Sequence, residues 1–210
     1  MKTLLITIFL LSIIGLFCFY SSPTVAETST ANSPGTMADD ATYGTVAWSD
    51  PDNAKTSNDS DASITLSQQA SHYLKATNFG FSIPTGATIN GILVEVELQA
   101  TNVTSIDVEA KIVKSDGSIG STDKAKEASL PDTDTYWSYG SSTELWGETW
   151  TPADINDADF GFVFAVSAYG ATTNIDHIRM TVSYTVPNTA TRTVKIGNGV
   201  KFKNNVKIKN

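Results

Sequence analysis

Residues 89–100 alternate without a break: Ile92, Val94, Val96 and Leu98 take one parity, and Leu93, Glu95, Glu97 and Gln99 the other. Successive side chains leave a strand on opposite sides, so a period of two marks a strand with one buried face. The pattern returns at residues 106–113, 160–168 and 175–184. It assigns Ile106, Val108, Ala110 and Ile112, then Phe160, Phe162, Phe164 and Val166, then Ile178, Met180, Val182 and Tyr184 to inner faces. Residues 44–48, 62–66 and 73–83 supply further strand candidates. Pro84-Thr-Gly-Ala87 and Ser115-Asp-Gly-Ser118 carry turn chemistry. One short helix is expected at Thr151-Pro-Ala-Asp-Ile155, with Thr151 as N-cap, Pro152 at the first helical position and Asp154 as the capping-box acid. About eight strands without a long helix predict an all-β fold for residues 39–186, an antiparallel sandwich of jelly-roll type.

Charge divides the chain unevenly. All 22 acids lie between Glu27 and Asp176, against seven bases between Glu27 and Val186: Lys55, Lys75, Lys111, Lys114, Lys124, Lys126 and Arg179. The body therefore carries a formal charge of 7 − 22 = −15, which repels phosphate backbones and argues against nucleic acid as a partner.

The last 17 residues are the opposite. They repeat with a period of six: Val194-Lys-Ile-Gly-Asn-Gly, Val200-Lys-Phe-Lys-Asn-Asn, Val206-Lys-Ile-Lys-Asn. With Arg192 the tail holds six bases and no acid. Read as short strands joined at Asn198-Gly199 and Asn204-Asn205, it sets Val194, Ile196, Val200, Phe202, Val206 and Ile208 on one face. Lys195, Lys201, Lys203, Lys207 and Lys209 fall on the other. So few apolar side chains cannot offset the entropy of ordering the segment, so the tail is expected to fold only against a neighbour. Residues 187–193 read as the linker into it.

At the other end, Lys2 and an apolar run over residues 4–20 lead into Thr24-Val25-Ala26. This order reads as a signal peptide, residues 1–26, cleaved after Ala26 and leaving no membrane span. Cys18 is the only cysteine, and the bulky Phe17 before it does not suit a lipid-attachment motif. The mature chain then has neither disulfides nor thiol chemistry, and its expected location is secreted or at the cell surface. Residues 27–38 read as a flexible leader with too few apolar groups to fold.

Several stretches share a spacing with a known module. They are Trp146-Gly-Glu-Thr-Trp-Thr-Pro-Ala-Asp-Ile-Asn, Phe160-Gly, and Asp176-His-Ile-Arg-Met-Thr-Val-Ser-Tyr184. Ser71-His-Tyr-Leu-Lys-Ala-Thr-Asn-Phe-Gly-Phe-Ser-Ile-Pro84, followed by Ala-Thr-Ile-Asn-Gly-Ile-Leu-Val-Glu-Val-Glu, belongs with them. The pattern, over roughly residues 33 to 185, resembles a β-sandwich module of bacteriophage virion-associated proteins and of secreted or surface proteins of environmental bacteria. The resemblance implies a structural or adhesive module and carries no ligand or catalytic residue with it.

Two clusters could carry chemistry. Tyr136, Trp137, Tyr139, Trp146 and Trp150 crowd fifteen residues. As an exposed row they would stack on sugar rings, with Glu144, Glu148 and Asp134 accepting hydroxyl hydrogen bonds; buried, they would plug one end of the sandwich. Asp50, Asp52, Asn53, Asp59 and Asp61 put many oxygen ligands in one loop, which suits a structural calcium, although Asp and Asn are also common turn residues. The only two histidines, His72 and His177, are too few for a zinc site, and no Gly-x-Ser-x-Gly elbow is present. Strict alternation puts Asp176 and His177 on opposite faces, so they do not read as a dyad. The chain is expected to be a non-catalytic structural or attachment module. The tail would dock onto another copy or an anionic cell-surface polymer, and a glycan-binding module is the alternative.

Overall fold

The computed structural model describes residues 24–102 and 104–188. There the alternation becomes eight strands, β1 (Thr24–Thr28), β2 (Thr36–Asp40), β3 (Ala62–Ala70), β4 (Tyr73–Thr77), β5 (Thr88–Ala100), β6 (Ile106–Val113), β7 (Thr135–Gly140) and β8 (Gly161–Pro187). A 3-10 turn at Pro51–Ala54 and a helix α1 at Pro152–Asn156 complete the list. The helix starts as its sequence dictates. The Asp154 amide donates to Thr151 Oγ1 at 3.2 Å, and the Thr151 amide donates back to Asp154 Oδ2 at 2.9 Å.

The two C-terminal strands expected from the sequence are one strand of 27 residues. Its first half pairs with β4 and β6; its second half pairs with β5 and β1; β3 lies across the middle, all antiparallel. β2 flanks β4 and β7 flanks β5. The chain thus builds two layers that share β8, a sandwich-like arrangement with an antiparallel sheet running through both. Gly161 opens β8 because a Cβ there would meet the Ala76 carbonyl oxygen at 2.0 Å.

The core lies between the layers. Ile92, Val94, Val96 and Leu98 are fully buried, as are Phe162, Phe164, Val166, Ile178, Met180 and Val182. Rings from the two layers meet: Tyr139 of β7 packs on Phe162 and Phe164 of β8 with centroids 6.0 and 5.8 Å apart. Val163, Ala165, Val113 and Tyr73 form a second, smaller cluster on the opposite side of β8. Both parities of β8 are therefore apolar where it is covered on both faces.

The sequence pattern misleads in three places. A bulge between Asp107 and Glu109 breaks the alternation of β6, so Val108 joins the outer cluster instead of the core. Asp107 turns in its place into full burial, where the Tyr139 hydroxyl and the amides of Lys126 and Ala128 donate to it at 3.0, 2.7 and 3.2 Å. Residues 44–48 and 79–83 pack as irregular segments rather than strands: a left-handed Asn78 ends β4, and Phe79, Phe81 and Ile83 are buried beyond it.

The third correction concerns residues 27–38, expected to be a flexible leader. They are tied to the body by hydrogen bonds, and Met37 is buried in the core. Ser29 and Asn32 pair with Val182 and Met180, and β2 completes the edge beside β4. β1 spans the expected cleavage point after Ala26. Residues 1–23 and 189–210, which hold most of the expected signal peptide and the whole repeated tail, lie outside the described residues. No helix among the described residues is long and apolar enough to cross a membrane.

Val94 is wholly enclosed on the inner face of β5. Val94→Asp is expected to destabilise the fold by at least about 3 kcal/mol, because it buries an unpaired carboxylate. Thermal melting of the purified variant against the parent checks this.

Candidate functional site

The outer side of the second layer carries a continuous polar network. Register sets Glu97 of β5 opposite Tyr136 of β7 and His177 of β8, and Glu95 opposite Ser138 and Arg179. Arg179 donates to both oxygens of Glu95, at 2.8 Å from Nε and 3.0 Å from Nη2. Its guanidinium lies 3.8 Å from the centroid of the Tyr136 ring, where the ring face attracts a cation. The Tyr136 hydroxyl meets His177 Nδ1 at 2.8 Å, and Ser33 Oγ meets His177 Nε2 at 2.8 Å. Both ring nitrogens are engaged.

Burial holds the His177 imidazole below its ordinary value; Glu97 opposes this and Arg179 adds to it. The ring is therefore neutral near pH 7, with one nitrogen donating and the other accepting.

A second bulge places the acids. Glu97 pairs with His177 but Leu98 pairs with Ile175, leaving Asp176 as the extra residue of β8. A bulge re-aims side chains. Asp176, 1% exposed, accepts the Asn58 amide on both oxygens at 3.1 and 2.9 Å. Carboxylate oxygens of Asp59, Asp134 and Asp176 all lie within 4.8 Å of one another. Burial first, then Glu97, Asp176, Asp61 and Asp59, hold the Asp134 carboxyl above the usual range; burial, Asp176 and Asp59 do the same to Asp61.

The expected oxygen-rich loop therefore divides. Asp59, with Asp61 nearby, joins Asp134 and Asp176, whereas Asp50, Asp52 and Asn53 do not join them. Asp52 pairs with Lys55 at 2.7 Å, and the Asn53 side-chain amide donates to the Asp61 carbonyl at 3.1 Å. Asp50, in left-handed conformation, starts the 3-10 turn. With Met37 and Pro51, these three line a shallow depression of about 370 Å³.

The aromatic platform is not formed either. Tyr139, Trp146 and Trp150 are buried, the indole N–H groups of Trp146 and Trp150 donating to the carbonyls of Ile92 and Leu145 at 3.0 and 2.9 Å. Trp137 is half-buried beneath Lys126, whose Nζ sits 4.3 Å from its centroid, and Tyr136 is half-buried in the His177 network. Large rings gain more by filling the space between the layers than by standing in water. Glu144 is paired with Lys124 at 2.8 Å and accepts the Trp146 amide at 2.9 Å. Those hydrogen bonds, Lys124 first, hold its carboxyl below the usual range, the reverse of what a general acid needs. Glu148 is half-buried beside Gly120.

Sequence reasoning missed Glu97, and it did not bring Asp134, read only as an acceptor for sugar hydroxyls, or Asp176 together with the oxygen-rich loop. The available signal was Asp176-His177 between Ile175 and Ile178: two polar residues in a row break a period of two and mark a bulge. No family model, curated protein or solved structure matches the chain. The resemblance over roughly residues 33 to 185 rests on the sequence pattern alone.

His177 gives a pH prediction. As pH falls, the unfolded chain takes up the proton before the folded one. The neutral ring's contribution is full above the ordinary value of 6.5 and is lost as pH drops below it. Asp61 and Asp134, raised in the fold, act in the opposite sense at more acid pH. Denaturant unfolding between about pH 7 and about pH 5.5 should show the parent losing more stability than His177→Gln.

Proposed function

We propose that this chain is a secreted, non-catalytic structural or attachment module, displayed at a cell or particle surface, whose C-terminal repeat docks it onto another copy or onto an anionic surface polymer. The observation that carries this reading is the division of charge. Of the seven bases in the body, Lys55, Lys75, Lys111, Lys124 and Arg179 are spent on Asp52, Asp40, Glu109, Glu144 and Glu95. Lys126 lies over the rings of Trp137 and Tyr139. The remaining basic charge, apart from Lys2 and Lys114, is in residues 192–209, which contain no acid. Cations concentrated beyond a −15 body are suited to partners outside it.

The state of the reactive groups supports a non-catalytic role. His177 is held at both nitrogens, His72 Nδ1 is bound to Asp39 at 2.7 Å, and Glu144 is pinned as a carboxylate by Lys124. The burial of Tyr139, Trp146 and Trp150 removes the support for a sugar-stacking row.

Truncation after Val186 tests the reading. Sedimentation and retention on cells or on an immobilised anionic polymer are compared with the full chain at low and moderate salt. Loss of self-association identifies the partner as another copy, and loss of retention identifies the polymer. If the truncated chain matches the full one in both assays, the tail is not a docking element.

A further inference from the structure

Past Glu97 the outer face changes character, where β3, β8 and β5 lie side by side. Register sets Asn174 of β8 between Ser63 of β3 and Gln99 of β5 in one row. In the next row Thr172 stands opposite Thr65, and on its other side its carbonyl accepts the Thr101 amide at 2.9 Å. Beyond them Ser67 pairs with Tyr169. The alternate residues Ile64, Leu66, Leu98, Ala171 and Ile175 are buried, so the rows face outward. No charged residue stands in them, although the body carries a formal charge of −15.

These groups hold one another in place. Thr65 Oγ1 and Thr172 Oγ1 are 2.8 Å apart, the Thr172 amide donates to Thr101 Oγ1 at 3.0 Å, and Ser63 Oγ donates to Asn174 Oδ1 at 2.9 Å. Hydroxyls and side-chain amides used this way keep further donors and acceptors for a ligand. Gln99, Thr101 and Asn174, with Ala100 and Asp132, line a depression of about 270 Å³.

Tyr169 completes the surface. It is 65% exposed, and Val25 is the only other large apolar side chain exposed among the described residues. Two bulges present it: the register slips at Gly170 of β8 and is restored at Gln68 of β3, with φ of 72° and 60°. The carbonyls of Tyr169 and Gly170 accept from Thr104 Oγ1 at 2.9 Å and from Asn102 Nδ2 at 3.1 Å. The backbone is thus tied down while the ring is left in water, and bulges recur where a strand re-aims a side chain beside a binding site.

We propose that this surface is a binding site for a neutral glycan. Sugar hydroxyls both donate and accept, which hydroxyl and amide side chains match group for group. The apolar face of a sugar ring stacks on an exposed aromatic ring, here Tyr169, which has little rotamer freedom to lose. Three strands about 4.8 Å apart and rows about 7 Å apart give a flat surface of roughly 10 by 14 Å, enough for a short oligosaccharide. Groups already held by one another pay little to be ordered on binding. A charged polymer finds no counter-charge in the rows, and the acidic body repels an anionic one. The site adds a ligand to the attachment reading, and because the body alone forms it, it stands or falls apart from the tail.

The test uses the full chain on uncharged polysaccharides, insoluble cellulose and chitin by pull-down and dextran, mannan and xylan by affinity electrophoresis, with alginate as the anionic control. At least one neutral polymer is expected to retain the chain, and equally well at about 0.05 M and about 0.5 M salt, since no charge pair is there to be screened. Tyr169→Ala should weaken that retention about tenfold or more, and Gln99→Ala should weaken it as well. Both variants change surface side chains and should melt within about 2 °C of the parent. Failure of every neutral polymer to retain the chain overturns the proposal, and retention by alginate alone would then belong to the tail. Neutral-polymer retention that fades with salt, or that survives intact in Tyr169→Ala and Gln99→Ala, also overturns it. So does a result in which the two variants alter self-association and leave retention unchanged, which would make the surface a contact between copies.

Discussion

The rest of the structure depends on β8 being a single strand hydrogen-bonded into both layers. A strand of 27 residues that changes partners midway makes each layer the continuation of the other. Its register with β5 puts Ile178, Met180 and Val182 into the core opposite Val96, Val94 and Ile92. Its register with β4 and β6 does the same for Phe162 and Phe164. A slip of one residue in either half would turn these side chains out and bring His177, Arg179 or Gly161 in, so the two registers enforce each other.

Irregularities in that lattice make the polar features. The bulge in β6 buries Asp107, where the Tyr139 hydroxyl and two amides satisfy it, and so joins the layers by a polar contact within an otherwise apolar core. The bulge in β8 brings Asp176 to the same side as His177 and beside the 56–61 loop. Both devices add one residue to one strand only, and both bring a carboxylate to backbone N–H donors.

Much of the fold was legible in the sequence because burial of one strand face leaves a period of two. The inward set on β5 and the capping box at Thr151 follow from local rules and stand in the structure. Legibility failed where a non-local partner decided the outcome. Asp107 is buried because Tyr139 and the 126–128 stretch meet it, and residues 27–38 are held because β8 and β4 offer them main-chain partners. The aromatic cluster was visible, and its burial was one of the two readings the sequence allowed; the choice between them needed the second layer, since composition does not say which side of a strand faces it. The acid cluster was half visible. Asp59 and Asp61 stood out, while Glu97, Asp134 and Asp176 are ordinary surface acids until register brings them together.

The continuity of β8 is measured most directly by native-state hydrogen exchange of its amides, residue by residue. If one strand unites both layers, the hydrogen-bonded amides from Phe162 to Val182 should exchange only through global unfolding, with one common free energy in both halves. Two distinct opening free energies, dividing near Gly170, would mean that the layers open separately, which contradicts a single shared strand.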